Sequence, residues 1–304
     1  MSSNRITMKD IAKEAGVSTA TVSYVLNYSE KEKISHETRM RIFEAANKLK
    51  YVPNMNAKSL ASQRSYLVGI IINMEERNKK SKIFQYYDLS REIQKCLYLR
   101  GYDVVLLPTK EMEKDIKIGQ KRSLDAVFIM DMDEERFKRI ATQFYVPAIF
   151  IEGYVEDPIF CKIVTDYSSV LKRAEEQLGK DFYVVMEDHS NKNVYESIAR
   201  AVPDEDIFVN GYDANLIEFL QKHKNQNGLV IGEILGMQVE NYVDNRNISV
   251  VVNSERDIML LPDTKTIVVS NKRKAEKAVE VMDRLLRLDN ANEVERVTYV
   301  PPLS

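Results

Sequence analysis

From residue 67 onward the sequence alternates short apolar runs with longer amphipathic segments, and this alternation is the feature that most limits the fold. Strands are predicted at residues 67–72, 103–107, 124–130, 147–151, 182–186, 229–231, 248–252 and 265–269. Helices are predicted at residues 84–100, 110–121, 133–143, 167–178, 193–201, 214–224 and 271–288. Such alternation predicts a mostly parallel sheet with helices on both faces, interrupted here by a boundary near residues 165–166.

The first 50 residues follow a different pattern, with three short helices. The apolar spacing predicts helices at residues 8–15, 19–26 and 36–49, each preceded by a Ser or Thr that can cap it. Gly16 lies between the first two helices, where a tight turn needs a positive φ. Two short helices joined by a Gly-containing turn and braced by a third describe a helix-turn-helix domain.

The charge of the chain is unevenly distributed. Residues 1–64 carry 11 Lys and Arg against 6 Asp and Glu, a formal charge of +5, whereas the rest carries 33 against 40, a charge of −7. A basic N-terminal segment followed by an acidic remainder indicates that only the N-terminal segment binds a polyanion.

Several classes of protein are not indicated by the sequence. No apolar run approaches the roughly 20 residues of a membrane span, and the start, MSSNRITMKD, lacks the apolar stretch of a signal peptide. Cys96 and Cys161 have no metal-type spacing, and we expect reduced thiols in a cytoplasmic protein. Without a Gly-rich phosphate loop, a nucleophile elbow or a metal-ligand cluster, we expect no enzyme, no cofactor and no metal.

The N-terminal residues resemble the headpiece of the lactose-repressor (LacI/GalR) family. The resemblance is carried by residues 7–27 (TMKDIAKEAGVSTATVSYVLN), 35–39 (SHETR), 49–54 (LKYVPN) and 57–61 (AKSLA). It covers about the first 72 residues closely and the remainder only in the order of elements. It implies an all-α helix-turn-helix headpiece followed by an α/β two-lobed regulatory domain like that of the periplasmic binding proteins.

The resemblance also implies domain boundaries. We expect a DNA-binding headpiece at residues 1–50, a hinge helix or linker at 51–64, and an effector-binding and dimerisation domain at 65–304. Within that domain, lobe 1 is expected to comprise about 65–165 plus 266–290, and lobe 2 about 166–265.

In a helix-turn-helix domain the N-terminal part of the second helix meets base edges in the major groove. The positions expected to enter the major groove are Thr19, Ala20, Ser23 and Tyr24. Those expected to contact phosphates are Thr7, Lys9, Ser18, Thr21 and Asn27. Where the family often has Arg or His, this chain has Tyr24, so it lacks the usual bidentate guanine reader and should prefer a different base there.

The hinge segment is polar, Asn-rich and too short to hold a helix by itself in water. By resemblance, Asn54, Ala57 and Lys58 line the minor groove, and Leu60 is a wedge that enters the central base step. The alternative is that Leu60 packs on the body as an ordinary linker residue.

The regulatory domain departs from the pattern of the sugar-binding family members. No Arg occurs between Glu187 and Arg200, the frequent Asn-Asp pair is replaced by Gly232-Glu233, and a later acidic pair by residues 253–255 (NSE). Arg and Asp side chains hold sugar hydroxyls through directional, charge-assisted hydrogen bonds. The absence of these residues here argues against a sugar effector. By their positions at strand ends, the candidate cleft residues are Asn73, Asp131, Asp166, Asp188, Tyr195, Glu233 and Asn253.

The sequence therefore predicts an allosteric transcriptional regulator, a repressor, that binds a palindromic double-stranded DNA operator as a homodimer. A small-molecule effector, not clearly a sugar, would occupy the cleft, and no membrane partner is expected. The alternatives are the same regulator with a cleft that has lost ligand binding and, more remotely, a solute-binding protein.

Overall fold

The computed structural model describes residues 6–26, 34–51, 64–74, 78–109, 123–287 and 294–304. The chain divides into two compact units, Met1–Arg64 and Ser65–Ser304. The helix predicted at 110–121 lies outside the described residues, as do most of the hinge segment and Asn27. Within the described ranges, no helix is both long enough and apolar enough to cross a membrane.

In the described part of the first unit, residues 6–26, 34–51 and 64, three helices enclose a small apolar core. They are α1 (Met8–Ala15), α2 (Thr19–Leu26) and α3 (His36–Lys48). Ile11, Val22, Val25 and Ile42 are fully buried between them. The spacing of these residues brings one face of each helix together, as the helical periodicity predicts.

The second unit is built from strands and helices that alternate along the chain. Its strands are β1 (Leu67–Asn73), β2 (Asp103–Thr109), β3 (Ala126–Met130), β4 (Ala148–Ile151), β5 (Cys161–Thr165), β6 (Phe182–Glu187), β7 (Ile207–Asn210), β8 (Asn227–Ile231), β9 (Ile248–Val252), β10 (Lys265–Val268) and β11 (Val297–Val300). Its helices are α4 (Lys80–Tyr98), α5 (Glu134–Ala141), α6 (Tyr167–Leu178), α7 (Asn193–Ala199), α8 (Leu216–Lys222), α9 (Glu233–Val239) and α10 (Asn271–Arg287).

These strands form two parallel sheets, which define two lobes. The sheet of lobe 1 has the order β11-β5-β4-β3-β1-β2, and that of lobe 2 has the order β10-β9-β8-β6-β7. Each sheet has an apolar cluster on both of its faces. Strands covered on both faces are apolar throughout, and β3 (AVFIM) is buried at every position. The predicted two-lobed α/β domain is confirmed.

The lobe boundaries differ from the prediction at one point. Residue 266 was expected to begin the return to lobe 1, but β10 pairs with β9 in lobe 2, and Ile267 is buried in the core of that lobe. The return begins with α10, which packs in the core of lobe 1, and β11 then completes the sheet of that lobe. Hydrogen bonding to β9, which the sequence pattern does not reveal, decides the boundary.

Four elements were not predicted from the sequence: β5, β7, β11 and α9. In addition, α4 begins at Lys80 rather than at residue 84. The polar sequence KSK does not suggest a buried helix start, yet Ser81 and Lys82 are 3% and 2% exposed. The burial of Lys82 bears directly on the cleft between the lobes.

Candidate nucleic-acid interface and interlobe cleft

Local hydrogen bonds fix the start of α1, and a glycine ends it before α2. The Asp10 carboxylate accepts hydrogen bonds from the backbone amide of Thr7 (2.8 Å) and from its hydroxyl (2.7 Å), which fixes the start of α1. These hydrogen bonds lower the pKa of Asp10. Gly16 ends α1 with φ = 66°, a left-handed conformation in which glycine carries no steric penalty. The chain thereby reverses within a few residues and presents the start of α2.

Ser18 caps α2. Its hydroxyl accepts a hydrogen bond from the Thr21 amide at 3.0 Å and lies 2.8 Å from the Thr21 hydroxyl. Both side chains therefore have a local partner, and any phosphate contact would be made in addition to the cap. The remaining backbone amides of this first helical turn have no partner within the helix, and amides so placed form an anion-binding position.

The two faces of α2 differ sharply in exposure. Val22 and Val25 are fully buried, whereas Thr19 and Ala20 are exposed and Tyr24 is 38% exposed. Ser23 is half-buried beside them. Thr7, which precedes the neighbouring helix α1 as its cap, and Lys9 within that helix are both exposed. The exposed face of α2 thus offers two hydroxyls and a methyl group, groups that can contact base edges.

In the second unit, the carboxyl ends of β1, β3 and β6 meet where the lobes face each other. The Asn73 amide, at the end of β1, donates to the Ser190 hydroxyl at 3.0 Å. The Ser190 backbone amide donates to the Asp131 carboxylate at 2.8 Å. Asn73 and Asp131 belong to lobe 1 and Ser190 to lobe 2, so the two lobes are joined by direct hydrogen bonds.

A buried lysine adds a charged contact at the same place. The Lys82 ammonium, on α4, lies 2.7 Å from the Asp131 carboxylate, and the side chains are 3% and 0% exposed. It also donates to the Asn78 side-chain oxygen at 3.1 Å and to the backbone carbonyl of Asp188 in lobe 2. The ammonium therefore has two hydrogen-bond acceptors and one carboxylate as its ionic partner, and a buried charge is tolerated when it is paired in this way.

Asp131 is held in an unusual backbone conformation, with φ = 52°. Glu152, which follows β4, has φ = 54° and pairs with Lys274 of α10 at 2.6 Å, again with both groups nearly buried. Left-handed backbone costs on the order of 1 kcal/mol in most residues and persists where surrounding contacts enforce it. Each of these two strand ends thus presents a carboxylate to a buried lysine.

The helix α4 approaches lobe 2 closely at Gly232. A Cβ atom on Gly232 would lie 1.9 Å from the Gln85 side-chain nitrogen, and Gly232 has φ = 113°. Only glycine accommodates both the conformation and the approach. The cavity that remains beside Gln85, bounded also by Glu152, Asn253 and Lys274, has a volume of about 40 Å³. That volume suits a few water molecules.

Further contacts join the lobes around this centre. The Lys79 ammonium donates to the Asn210 side-chain oxygen at 2.8 Å, and the Tyr86 hydroxyl lies 3.0 Å from His189 Nδ1. Asn191 donates to the Met132 and Tyr154 carbonyls at 3.2 and 2.9 Å. Burial, followed by the Asp131 charge, raises the pKa of Tyr86, and burial lowers the pKa of His189. Both rings are therefore neutral at pH 7.

Residues 7–54 match the profile of the bacterial regulatory proteins of the lacI family. Catabolite control protein A from Staphylococcus aureus is 28% identical over 239 residues, which is 76% of this chain and 64% of that protein. The corresponding protein from Staphylococcus xylosus is 30% identical over 62% of this chain and 57% of its own length. The chain thus aligns with about three fifths of the length of these relatives.

The similarity to the lacI family is thus established for residues 7–54.

Two solved structures of other proteins have a similar fold. A lac repressor dimer bound to operator and the anti-inducer ONPF matches with a TM-score of 0.66 at 19% identity, over 98% of this chain and 97% of that one. A complex of the regulator CelR with cellobiose matches with a TM-score of 0.61 at 15% identity, over 98% of both chains. The fold described above is therefore that of these two solved structures.

The structure places the candidate cleft residues in different surroundings. Asn73, Asp131 and Asp188 come together around Lys82, and Asn253 borders the small cavity. Their position at strand ends was the signal that identified them.

The other three candidates have hydrogen-bond partners of their own, and Tyr195 also borders a pocket of about 550 Å³ that Lys82 and Asp188 line. The Tyr195 hydroxyl donates to Asp204 at 2.8 Å, and Glu233 accepts the Met259 amide at 2.6 Å. Asp166 caps α6 by accepting the Ser169 amide at 3.2 Å, and it borders a separate groove of about 1,000 Å³. The sequence did not point to Lys82, Gln85 or Ser190, because the first two lie within a helix and the third in a loop.

Proposed function

We propose that this protein is a transcriptional regulator, a repressor, that binds a palindromic DNA operator as a homodimer. The observation that carries the proposal is the exposed face of α2, presented directly after the Gly16 turn within residues that match the lacI-family profile. A helix in that setting enters the major groove with its N-terminal end. Acting on chromosomal DNA, such a protein would work in the bacterial cytoplasm as a non-catalytic regulator.

We assign the roles along the headpiece accordingly. Thr19, Ala20, Ser23 and Tyr24 would read bases, with Tyr24 the residue least typical of the family. Phosphate contacts would come from Thr7, Lys9, Ser18, Thr21 and Asn27, the last lying outside the described residues. The hinge residues Asn54, Ala57, Lys58 and Leu60 also lie outside them, and their minor-groove role is proposed from the family resemblance alone.

The proposal of a homodimer is supported by α4. Phe84, Tyr87 and Tyr98 are 58%, 44% and 76% exposed, and their spacing places them on one side of the helix. Aromatic side chains that share an exposed face mark interaction surfaces. We therefore expect Tyr87→Glu to produce monomers in sedimentation experiments, whereas Tyr145→Glu, at an exposed position in the loop before β4, should leave the dimer intact.

For the cleft between the lobes, we favour a regulator that does not bind a sugar there. Pockets that hold small ligands usually enclose roughly 300–1,000 Å³. The cavity beside Gln85, at about 40 Å³, is far smaller, and the strand ends are engaged by the protein's own side chains. The neighbouring pocket lined by Lys82, Asp188 and Tyr195, at about 550 Å³, lies within that range. Calorimetric titration with common mono- and disaccharides should give no heat of binding. A saturable signal would favour an effector that opens the cleft.

The DNA-binding proposal is tested by incubating the full chain with fragmented DNA from its own bacterium and sequencing what it retains. We expect the retained fragments to share a motif with two-fold symmetry, as a symmetric dimer requires. Retained fragments without a common motif would refute sequence-specific recognition.

A further inference from the structure

The side chain of Lys82 occupies the place where small molecules bind in proteins of this architecture. In open α/β sheets, ligands lie beyond the carboxyl ends of the strands. Asn73, Asp131 and Asp188 stand at or just after three such ends, and the Lys82 ammonium contacts the last two. The side chain that fills this position therefore comes from within the chain.

The contacts of Lys82 are divided between the lobes. Its ion pair with Asp131 and its hydrogen bond to Asn78 lie within lobe 1, whereas its hydrogen bond to the Asp188 carbonyl reaches lobe 2. Asp131 in turn accepts the Ser190 amide of lobe 2. Separating the lobes would break the two contacts to lobe 2 and return a charged pair to water.

The burial of Lys82 indicates that these contacts are needed to stabilise its buried charge. Ordering a lysine side chain costs conformational entropy. Removing its charge from water is also unfavourable, so lysines are seldom buried without pairing. The neighbouring Gln85 lies against Gly232 of lobe 2 and fills the adjacent space. Both residues project from the same turn of α4.

We propose that Lys82 is a built-in ligand: its alkylammonium group closes the two lobes in the absence of any small molecule. A bound effector shifts a conformational equilibrium by interacting more favourably with one of the two states. Lys82 does the same from within the chain, because its contact with Asp188 exists only when the lobes are together. The closed body is then the resting state of this regulator.

The test uses the full chain carrying Lys82→Ala, with Lys80→Ala as the matched control because Lys80 is exposed on the same helix. Lys82→Ala removes a fragment equivalent to n-propylammonium. Small-angle X-ray scattering should give a larger radius of gyration for Lys82→Ala than for the parent. Hydrogen exchange at the Ser190 amide should be faster by about tenfold or more, because its partner Asp131 lies in the other lobe.

Chemical rescue identifies the group responsible. Adding n-propylammonium chloride should restore the compact scattering and the slow Ser190 exchange of Lys82→Ala, whereas n-propanol and sodium chloride should not. Lys80→Ala should match the parent in every condition. If Lys82→Ala is compact without the amine, or if the amine leaves an opened Lys82→Ala unchanged, the proposal is wrong.

A second variant covers the case in which Lys82→Ala does not fold. Lys82→Met retains the apolar stem, so it should fold, open and show no response to the amine because the space remains filled. A Lys82→Met protein as compact as the parent would overturn the proposal. These measurements use no DNA, so their outcome is separate from the proposed function: a protein that bound no operator would refute that function and leave the closure result standing.

Discussion

The Lys82 ammonium and the Asp131 carboxylate lie 2.7 Å apart, with 3% and 0% of their side chains exposed. The two residues come from the same lobe, yet each also contacts the other lobe, Lys82 through the Asp188 carbonyl and Asp131 through the Ser190 amide. One ion pair therefore links the stability of lobe 1 to the position of lobe 2.

Asp131→Asn should destabilise the protein strongly, because it leaves the Lys82 charge buried without its counter-ion. We expect a loss of about 3 kcal/mol or more in the free energy of unfolding, measured with urea. Glu134→Gln is the control, since it breaks an exposed pair with Lys138 of nearly the same length, 2.6 Å. It should cause no measurable change. Equal losses of stability in Asp131→Asn and Glu134→Gln would show that burial does not determine how much the Lys82–Asp131 pair contributes.

Gly232→Ala should disturb the contact between α4 and lobe 2. The added methyl group would meet Gln85, and φ = 113° is unfavourable for alanine, so we expect a loss of about 2 kcal/mol or more. Combining Gly232→Ala with Gln85→Ala should restore the part of the stability that is lost through the clash with Gln85. Gly211→Ala is the control, because its methyl group would have only an ordinary contact, 3.7 Å from Asp188. A Gly232→Ala protein as stable as Gly211→Ala would contradict the close approach.

Stability should decrease in mild acid because of His189. Burial lowers its pKa below the ordinary value of 6.5, with Asp131 and Lys82 acting in opposite directions. As the pH falls below 6.5, the unfolded chain takes up a proton on this histidine while the folded chain does not, so the free energy of unfolding falls. Thermal melting from pH 8 to pH 5.5 should show this decrease, and His189→Gln should reduce its slope. If the melting temperature of His189→Gln depends on pH as steeply as that of the parent, groups other than His189 cause the decrease.

Elements with strong periodicity could be predicted from the sequence. The bounds of α1, α2 and β9 agree with the prediction, because each combines a regular apolar pattern with a clear boundary residue. By contrast, β5 was missed because its sequence, CKIVT, contains a lysine. The ammonium of Lys162 reaches the carbonyls of Val155 and Asp157, and this contact allows the strand to be buried. Such compensation depends on residues outside the strand.

The cleft was predicted only in part, for a similar reason. Asn73, Asp131 and Asp188 follow or end strands, so topology alone brings them together. Helical spacing distinguishes Lys82 from the exposed Lys80, because only Lys82 continues the buried stripe of Tyr86, Leu89 and Ile93. The partners that allow a lysine on that buried face come from distant parts of the sequence and could not be predicted from the helix itself.

Tyr24→Arg should change the DNA sequence that the protein selects. If Tyr24 reaches the major groove, arginine at that position can form a bidentate contact with guanine, worth about 1–3 kcal/mol of discrimination. Selection from random DNA should then show a guanine gained at one position in each half-site. Met40→Arg, an exposed position on α3, is the control and should leave the selected sequence unchanged. An identical motif for Tyr24→Arg and the parent would mean that Tyr24 does not read a base.

The central claim is that the exposed face of α2 reads bases, and the specificity ratio tests it most directly. This ratio compares the affinity for the selected site with the affinity for scrambled DNA at one fixed salt concentration. We predict a ratio of about 10³ or more for the parent and the loss of most of it in Thr19→Ala/Tyr24→Ala, with weak non-specific binding retained because the phosphate contacts remain. A parent ratio near one, or a ratio that the double substitution leaves unchanged in a folded protein, would contradict the claim.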